Sequence, residues 1–367
     1  MKIKIATAFA ILLAILPVFS GQPHSGSFYQ PVSIYGNDDR TEFYQADEIT
    51  KKLASSTAAL FRSKDISDLG NGFSQIRPVT LKERFNLAEE ETYADQPAVS
   101  FCSAALVGKD LILTSAHCLE QVPCEKIKIA FDYRNEQAGQ YPQVLKTENI
   151  YSCKIVVSSK YDPNGADYAI LKTDRQVNRT PLPVNRQDDI KKGEKVFVIG
   201  YPSGLPVKIA NNAGVRDVKK DFFVTDLDTF KGNSGSPVFS EKTMKIEGVL
   251  SRGGTDYMYS SYVSQEQEAD PRNPNSPVYK PGTAHRVGQD EGRGEDVTKS
   301  SIFQSLIPKT DFEKALDEAI KQGLRINRQK QNSIQPAIYV PSQWGGNQIQ
   351  PAVYYPPVNT RPEPVEI

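Results

Sequence analysis

Three short stretches hold residue types that together can break an acyl bond. Gly232-Asn233-Ser234-Gly235-Ser236-Pro237, inside the run Leu227–Phe239, sets a serine between glycines. Such flanks let the backbone turn sharply and let a substrate come close to the hydroxyl. A serine hydroxyl is a poor nucleophile near neutral pH. It needs a base to take its proton and N–H donors for the oxyanion it creates. The chain has only 3 histidines, His24, His117 and His285. His24 falls in a polar N-terminal stretch and His285 in a polar, proline-rich region. His117 ends an apolar run, Leu113-Thr114-Ser115-Ala116-His117-Cys118, and is the candidate base. An acid must hold the imidazole in one tautomer and stabilise its charge. Asp167, directly ahead of Tyr168-Ala169-Ile170-Leu171, can do so. A strand-end histidine or a turn aspartate is ordinary by itself; the combination with Ser234 suggests nucleophilic catalysis.

These residues need a rigid scaffold. From Ser100 onward short apolar runs alternate with turn residues: Phe101–Val107, Leu111–Ser115, Ile127–Phe131, Tyr168–Lys172, Val196–Gly200, Phe222–Thr225, Pro237–Phe239 and Ile246–Leu250. Many short strands with Gly/Pro turns predict an all-β sandwich or barrel rather than a sheet alternating with helices. Upstream, Ile49, Leu53 and Ala54 recur at helical spacing within Ala46–Leu60, and Thr57–Arg62 reads as a first strand. Residues 255–300 are polar and proline-rich and read as a long surface insertion. Phe312, Leu316 and Ile320 share one face of a helix over Phe312–Gly323, with Asp311 as N-cap and Gly323 as its stop. Residues 326–367 form a Pro/Gln/Tyr-rich tail in which Ile334–Tyr339 recurs as Ile349–Tyr354. That composition suits an extended or disordered segment.

The 367 residues carry 44 Lys+Arg and 44 Asp+Glu, so bulk charge does not suggest a nucleic-acid partner. Lys2 and Lys4, the apolar run Ile5–Phe19 and the small Val18 and Ser20 predict an export signal cut after Ser20. The run is short for a membrane span, so no membrane attachment is expected after cleavage. Residues 21–45 read as a loose leader or pro-segment. Export permits disulfides. Cys102, Cys118, Cys124 and Cys153 fit no zinc spacing, and two disulfides are expected, with any of the 3 possible pairings.

Taken in order, Thr114-Ser115-Ala116-His117-Cys118, Asp167-Tyr168-Ala169-Ile170-Leu171 and Gly232-Asn233-Ser234-Gly235-Ser236-Pro237 resemble the chymotrypsin-type, trypsin-like serine proteases. The Gly-Asn-Ser-Gly-Ser-Pro form and Ile34–Arg40 are similar to the bacterial branch near the glutamyl endopeptidases. The resemblance implies two packed six-stranded antiparallel β-barrels followed by a C-terminal helix, with the protease domain over 46–325. It implies Ser234 as nucleophile, His117 as general base, Asp167 as its orienting acid, and the N–H groups of Gly232 and Ser234 as the oxyanion hole. It also implies disulfides Cys102–Cys118 and Cys124–Cys153. Gly248–Gly254 resembles the strand along which a substrate backbone pairs, which makes Ser251 and Gly253 substrate-binding residues. No metal or cofactor is implied; the partners are protein or peptide substrates met outside the cell or in a periplasm.

Two positions depart within that family. Where animal trypsins carry an aspartate that pairs with a freed N-terminus, this chain has the neutral Asn233. Six residues before the nucleophile, the family's specificity position is Asp228, which implies cleavage after Lys or Arg. The glutamyl branch carries a histidine where this chain has Leu250, although Arg252 is near. The alternatives are therefore a glutamyl-specific endopeptidase of the same fold and an inactive, protease-like binding protein. An esterase of the α/β-hydrolase type would want a helix after the nucleophile and its histidine last. Here strand-like Pro237-Val238-Phe239 follows Ser234, and His117 comes first.

Overall fold

Strand Thr57–Arg62 is apolar on both faces because both faces are covered. Ala58 and Leu60 point into one hydrophobic cluster, while Ala59 and Phe61 point into another. A strand alternates its side chains with period two, so a strand caught between two cores reads as a continuous apolar run. The same split recurs at Ala169 and Leu171 against Tyr168 and Ile170, and at Val196 and Val198 against Phe197 and Ile199. The computed structural model describes residues 32–260 and 280–311, together with 313–315, 318, 321, 322 and 325. The stretch expected to be an export signal, residues 261–279 and the repeat-bearing tail lie outside the described residues.

Two closed antiparallel barrels result. The first runs in the order Ile150–Tyr161, Asp167–Thr173, Leu111–Thr114, Cys102–Leu106, Thr57–Arg62 and Ile127–Ala130, which returns to Ile150–Tyr161. The second runs Lys195–Gly200, Pro237–Ser240, Ile246–Arg252, Glu295–Lys299, Phe222–Thr225 and Lys208–Val218, which pairs back onto Lys195–Gly200. Their interiors are filled by separate clusters, around Leu60, Leu106 and Ile129 in one and Val198, Phe223 and Val297 in the other. A larger cluster, including Phe61, Leu113, Phe197, Tyr201 and Phe239, fills the seam between them. The unit that begins at Asp311 is helical at each of its described positions as far as residue 325. The apolar positions Phe312, Leu316 and Ile320 expected on its face lie outside the described residues. No described helix is long and apolar enough to cross a membrane.

Three expectations need correction. Residues 32–45 are not a loose leader. Ile34–Tyr35 pairs with Arg286–Val287, and Arg40–Glu42 joins the Lys208–Val218 strand. Ile34 and Tyr35 are buried, which anchors the segment. The helix expected over Ala46–Leu60 is shorter, Glu48–Ala54, because the Asp47 side chain caps the N–H groups of Ile49 and Thr50 and the strand begins at Thr57. Finally, the region 255–300 is not all insertion. Glu295–Lys299 is a buried strand that closes the second barrel between Ile246–Arg252 and Phe222–Thr225.

Candidate active site

The Leu111–Thr114 strand delivers His117 to the seam, where the short helix His117–Gln121 begins. A disulfide from Cys102 to Cys118 ties the residue after the histidine to the neighbouring strand. The second disulfide joins Cys124 to Cys153, so both pairings agree with the resemblance. Closing a loop of 16 residues adds roughly 3 kcal/mol in the chain-entropy model. Asp167 opens the adjacent antiparallel strand and is fully buried. Its Oδ1 accepts from the backbone N–H groups of Ala116 (2.7 Å) and His117 (3.2 Å), and its Oδ2 meets His117 Nδ1 at 2.6 Å. The carboxyl group meets the imidazole as an acceptor. The proton therefore belongs on Nδ1, which leaves the Nε2 lone pair directed away from Asp167.

Ser234 sits in a loop whose peptide planes are each pinned from behind. The Lys231 carbonyl accepts from Ser203 N–H, and the Asn233 carbonyl accepts from Ser236 N–H. In a trans peptide the following N–H points opposite to the carbonyl. The N–H groups of Gly232 and Ser234 are thus both turned away from these anchors, and neither has a protein acceptor among the described residues. Two glycines make the loop possible. Gly232 has φ +100°, and a Cβ on it would lie 2.6 Å from the Tyr201 carbonyl oxygen. Gly235 has φ +87°, and a Cβ there would lie 2.2 Å from both the Ser103 carbonyl oxygen and Thr114 Oγ1. His117 and Ser234 line one cavity of about 230 Å³, with Thr229, Phe230, Lys231, Asp256 and Glu295. The serine hydroxyl and the imidazole are not hydrogen-bonded to each other here. Such a bond often forms only once substrate is bound.

Residues 102–249 match the family model described as a trypsin-like peptidase domain. Over that stretch the chain is similar to the trypsin-like peptidases. The chain is 23% identical to serine protease HTRA1B of Danio rerio over 256 residues, 62% of this chain and 50% of that protein. It is 26% identical to the glutamyl endopeptidase of Staphylococcus aureus (strain MW2) over 155 residues, 39% of this chain and 44% of that one. It thus spans half or less of the length of the curated relatives it matches. Among solved structures, the Vibrio cholerae VesB protease aligns at TM-score 0.42 and 11% identity, covering 73% of this chain and 66% of that one. A Glu endopeptidase in complex with MPD aligns at TM-score 0.38 and 19% identity, covering 59% and 86%.

His117 and Ser234 border the same cavity, Asp167 meets His117 from behind, and Gly232 stands two residues before Ser234 in the same loop. Asp228 does not sit where expected. It is buried, but it does not line the cavity. Its Oδ1 accepts from Tyr35 N–H and its Oδ2 from Asp39 N–H, each at 2.8 Å, so it fastens the N-terminal segment to the barrel. Burial pushes its carboxyl group up to about 7, against the pull of those two donors. Asn233 is buried and accepts from Ser236 Oγ, with no charge involved. Ser251 and Gly253 both border the cavity. The Ser251 hydroxyl is committed to Thr298 Oγ1 at 2.7 Å and the Asp167 carbonyl at 3.3 Å, so it braces the strand that begins with the acid. Arg252 spends its guanidinium on Asp296 and on the carbonyls of Asp162 and Gly165.

Four contributors were not legible beforehand. Ser103 donates its N–H to the Ser234 carbonyl (2.8 Å) and its hydroxyl to the Gly232 carbonyl (2.7 Å), so one residue of the first barrel holds the nucleophile loop of the second. Ser203, with φ +53°, carries the N–H that pins Lys231, and its hydroxyl bonds Tyr257 Oη. Glu295 and Asp256 border the cavity from within the stretch read as an insertion. A serine inside the run Phe101–Val107 was the only local hint of the first, since a buried hydroxyl demands a partner.

Proposed function

We propose that this chain is a serine endopeptidase that cleaves peptide bonds through an acyl-enzyme, after Lys or Arg. The observation that carries the proposal is the 2.6 Å contact between Asp167 Oδ2 and His117 Nδ1, with His117 and Ser234 on one cavity. Ser234 Oγ attacks the scissile carbonyl carbon as His117 Nε2 takes its proton. The oxyanion falls to the N–H groups of Gly232 and Ser234, a pair in which each donor is worth roughly 3 kcal/mol in comparable sites. The imidazolium, balanced by Asp167, returns the proton to the leaving amine. Water then repeats the sequence on the ester and releases Ser234. The two disulfides and the signal-like start favour work outside the cell or in a periplasm.

Basic specificity is supported by the acidic lining, Asp256 and Glu295, and by the prior commitment of Arg252 to Asp296. A glutamyl preference, as in the Staphylococcus relative, would have to use Lys231, which borders the cavity near Asp256, because Arg252 is paired with Asp296. Profiling the purified protein against a peptide library, beside Ser234→Ala, tests the proposal. Cleavage after Lys and Arg that vanishes in the variant is expected. Cleavage after Glu, or equal activity in the variant, would refute it.

A further inference from the structure

We infer that Glu295, rather than Asp228, is the group that selects a cationic substrate side chain. The inference rests on the peptidase function proposed above and adds the residue that sets its specificity. Asp228 is spoken for, with both oxygens bonded to backbone N–H groups of the N-terminal segment and no surface on the cavity. Glu295 opens the strand beside Ile246–Arg252, is 1% exposed, and lines the cavity that Ser234 and His117 share. Among the described residues only neutral groups donate to it: Thr229 Oγ1 to Oε2 at 2.6 Å and Tyr35 Oη to Oε1 at 3.3 Å. Each oxygen keeps a lone pair for a further donor.

The wall opposite is bare where it has to be. A Cβ on Gly253 would lie 2.1 Å from Glu295 Oε2, so any larger residue there would collide with the carboxyl group. Asp256, the other acid on the cavity, already accepts from Ser33 Oγ and twice from Lys231 N–H. Burial, reinforced by the charge of Asp256, holds the Glu295 carboxyl well above the usual range. A buried acid without a counter-charge is costly to ionise, and an arriving ammonium or guanidinium supplies that counter-charge. Lys or Arg therefore gains an ion pair inside the cavity, while a neutral side chain of the same shape gains none.

The test uses peptides identical except for Arg or its neutral isostere citrulline at the cleaved residue. Rates are taken per site labelled by a fluorophosphonate, which counts competent Ser234 independently of the pocket. The wild-type protein should favour Arg in kcat/KM by about a hundredfold, and Glu295→Gln should erase most of that preference while still labelling. Should Glu295→Gln fail to fold, Gly253→Ala, which displaces the same carboxyl group, should lower the ratio likewise. An undiminished Arg preference in the labelled variants, or its loss in Asp228→Asn instead, overturns the inference and leaves the peptidase proposal standing. Absence of labelling in the wild-type protein overturns both.

Discussion

Tyr35 and Asp228 lie 193 residues apart in sequence, yet the Tyr35 N–H donates to Asp228 Oδ1 at 2.8 Å. Asp39 N–H completes the carboxylate from the other side. The same short segment reaches Asp256 through Ser33 Oγ and Glu295 through Tyr35 Oη. Residues 33–39 therefore tie together the three acids in and beneath the cavity wall. A chain that begins at residue 32 should keep full activity, whereas one that begins at residue 40 should lose most of it and unfold at lower urea. Each buried acid left without its donor costs about 1–3 kcal/mol. Equal urea midpoints for the two chains would contradict this.

Asp228 also makes a pH prediction. Its folded carboxyl group is pushed up to about 7, above the ordinary 3.8. A raised acid binds its proton more tightly when folded, so its stabilising contribution is complete below about pH 4 and is lost as pH rises to about 7. In Asp228→Asn the cost of the mispaired amide is the same at every pH. Urea melts between pH 4 and 7 should show the wild-type protein losing ground to the variant, by on the order of 4 kcal/mol at most. A constant difference across that range would contradict the shift.

Asp167→Asn changes one atom of a fully buried group. The amide would present an N–H to Nδ1 and reverse the imidazole tautomer, which removes the lone pair from Nε2. The expected loss in kcat is on the order of 10⁴-fold, with KM little changed. Peptide hydrolysis under saturating substrate checks it.

His117, Asp167 and Ser234 could be found from sequence because few residue types do this chemistry and each sits at the end of a recognisable apolar run. The strands buried on both faces were equally visible. Ile150–Tyr161 and Lys208–Val218 were not: beyond their buried starts they carry exposed Lys154, Lys160, Asn211 and Asn212, which interrupt the apolar pattern. Asp228 was misplaced for a different reason. An offset from the nucleophile gives a position along the chain, but the direction of that side chain depends on an N-terminal segment packing beneath it. Glu295 was hidden by the polar composition around it, because membership of a barrel follows from strand pairing that no local pattern records.

Ser103 links the barrels through the Gly232 and Ser234 carbonyls and accepts from Tyr201 N–H at 3.0 Å. Ser103→Ala keeps the backbone bond but leaves the buried Gly232 carbonyl and Tyr201 N–H unpaired. Stability should fall by about 2 kcal/mol. Because the oxyanion donors lose one of their braces, kcat should fall about tenfold with KM nearly unchanged. Wild-type kcat in this variant would show that the loop is held by its own turns alone.

The most direct measurement is mass spectrometry of the protein after exposure to a fluorophosphonate. Ser234 activated by His117 should carry the phosphonyl group, and His117→Ala should leave Ser234 unmodified under the same conditions. An unmodified wild-type Ser234, or equal modification in the His117→Ala variant, would contradict the assignment of the pair as base and nucleophile.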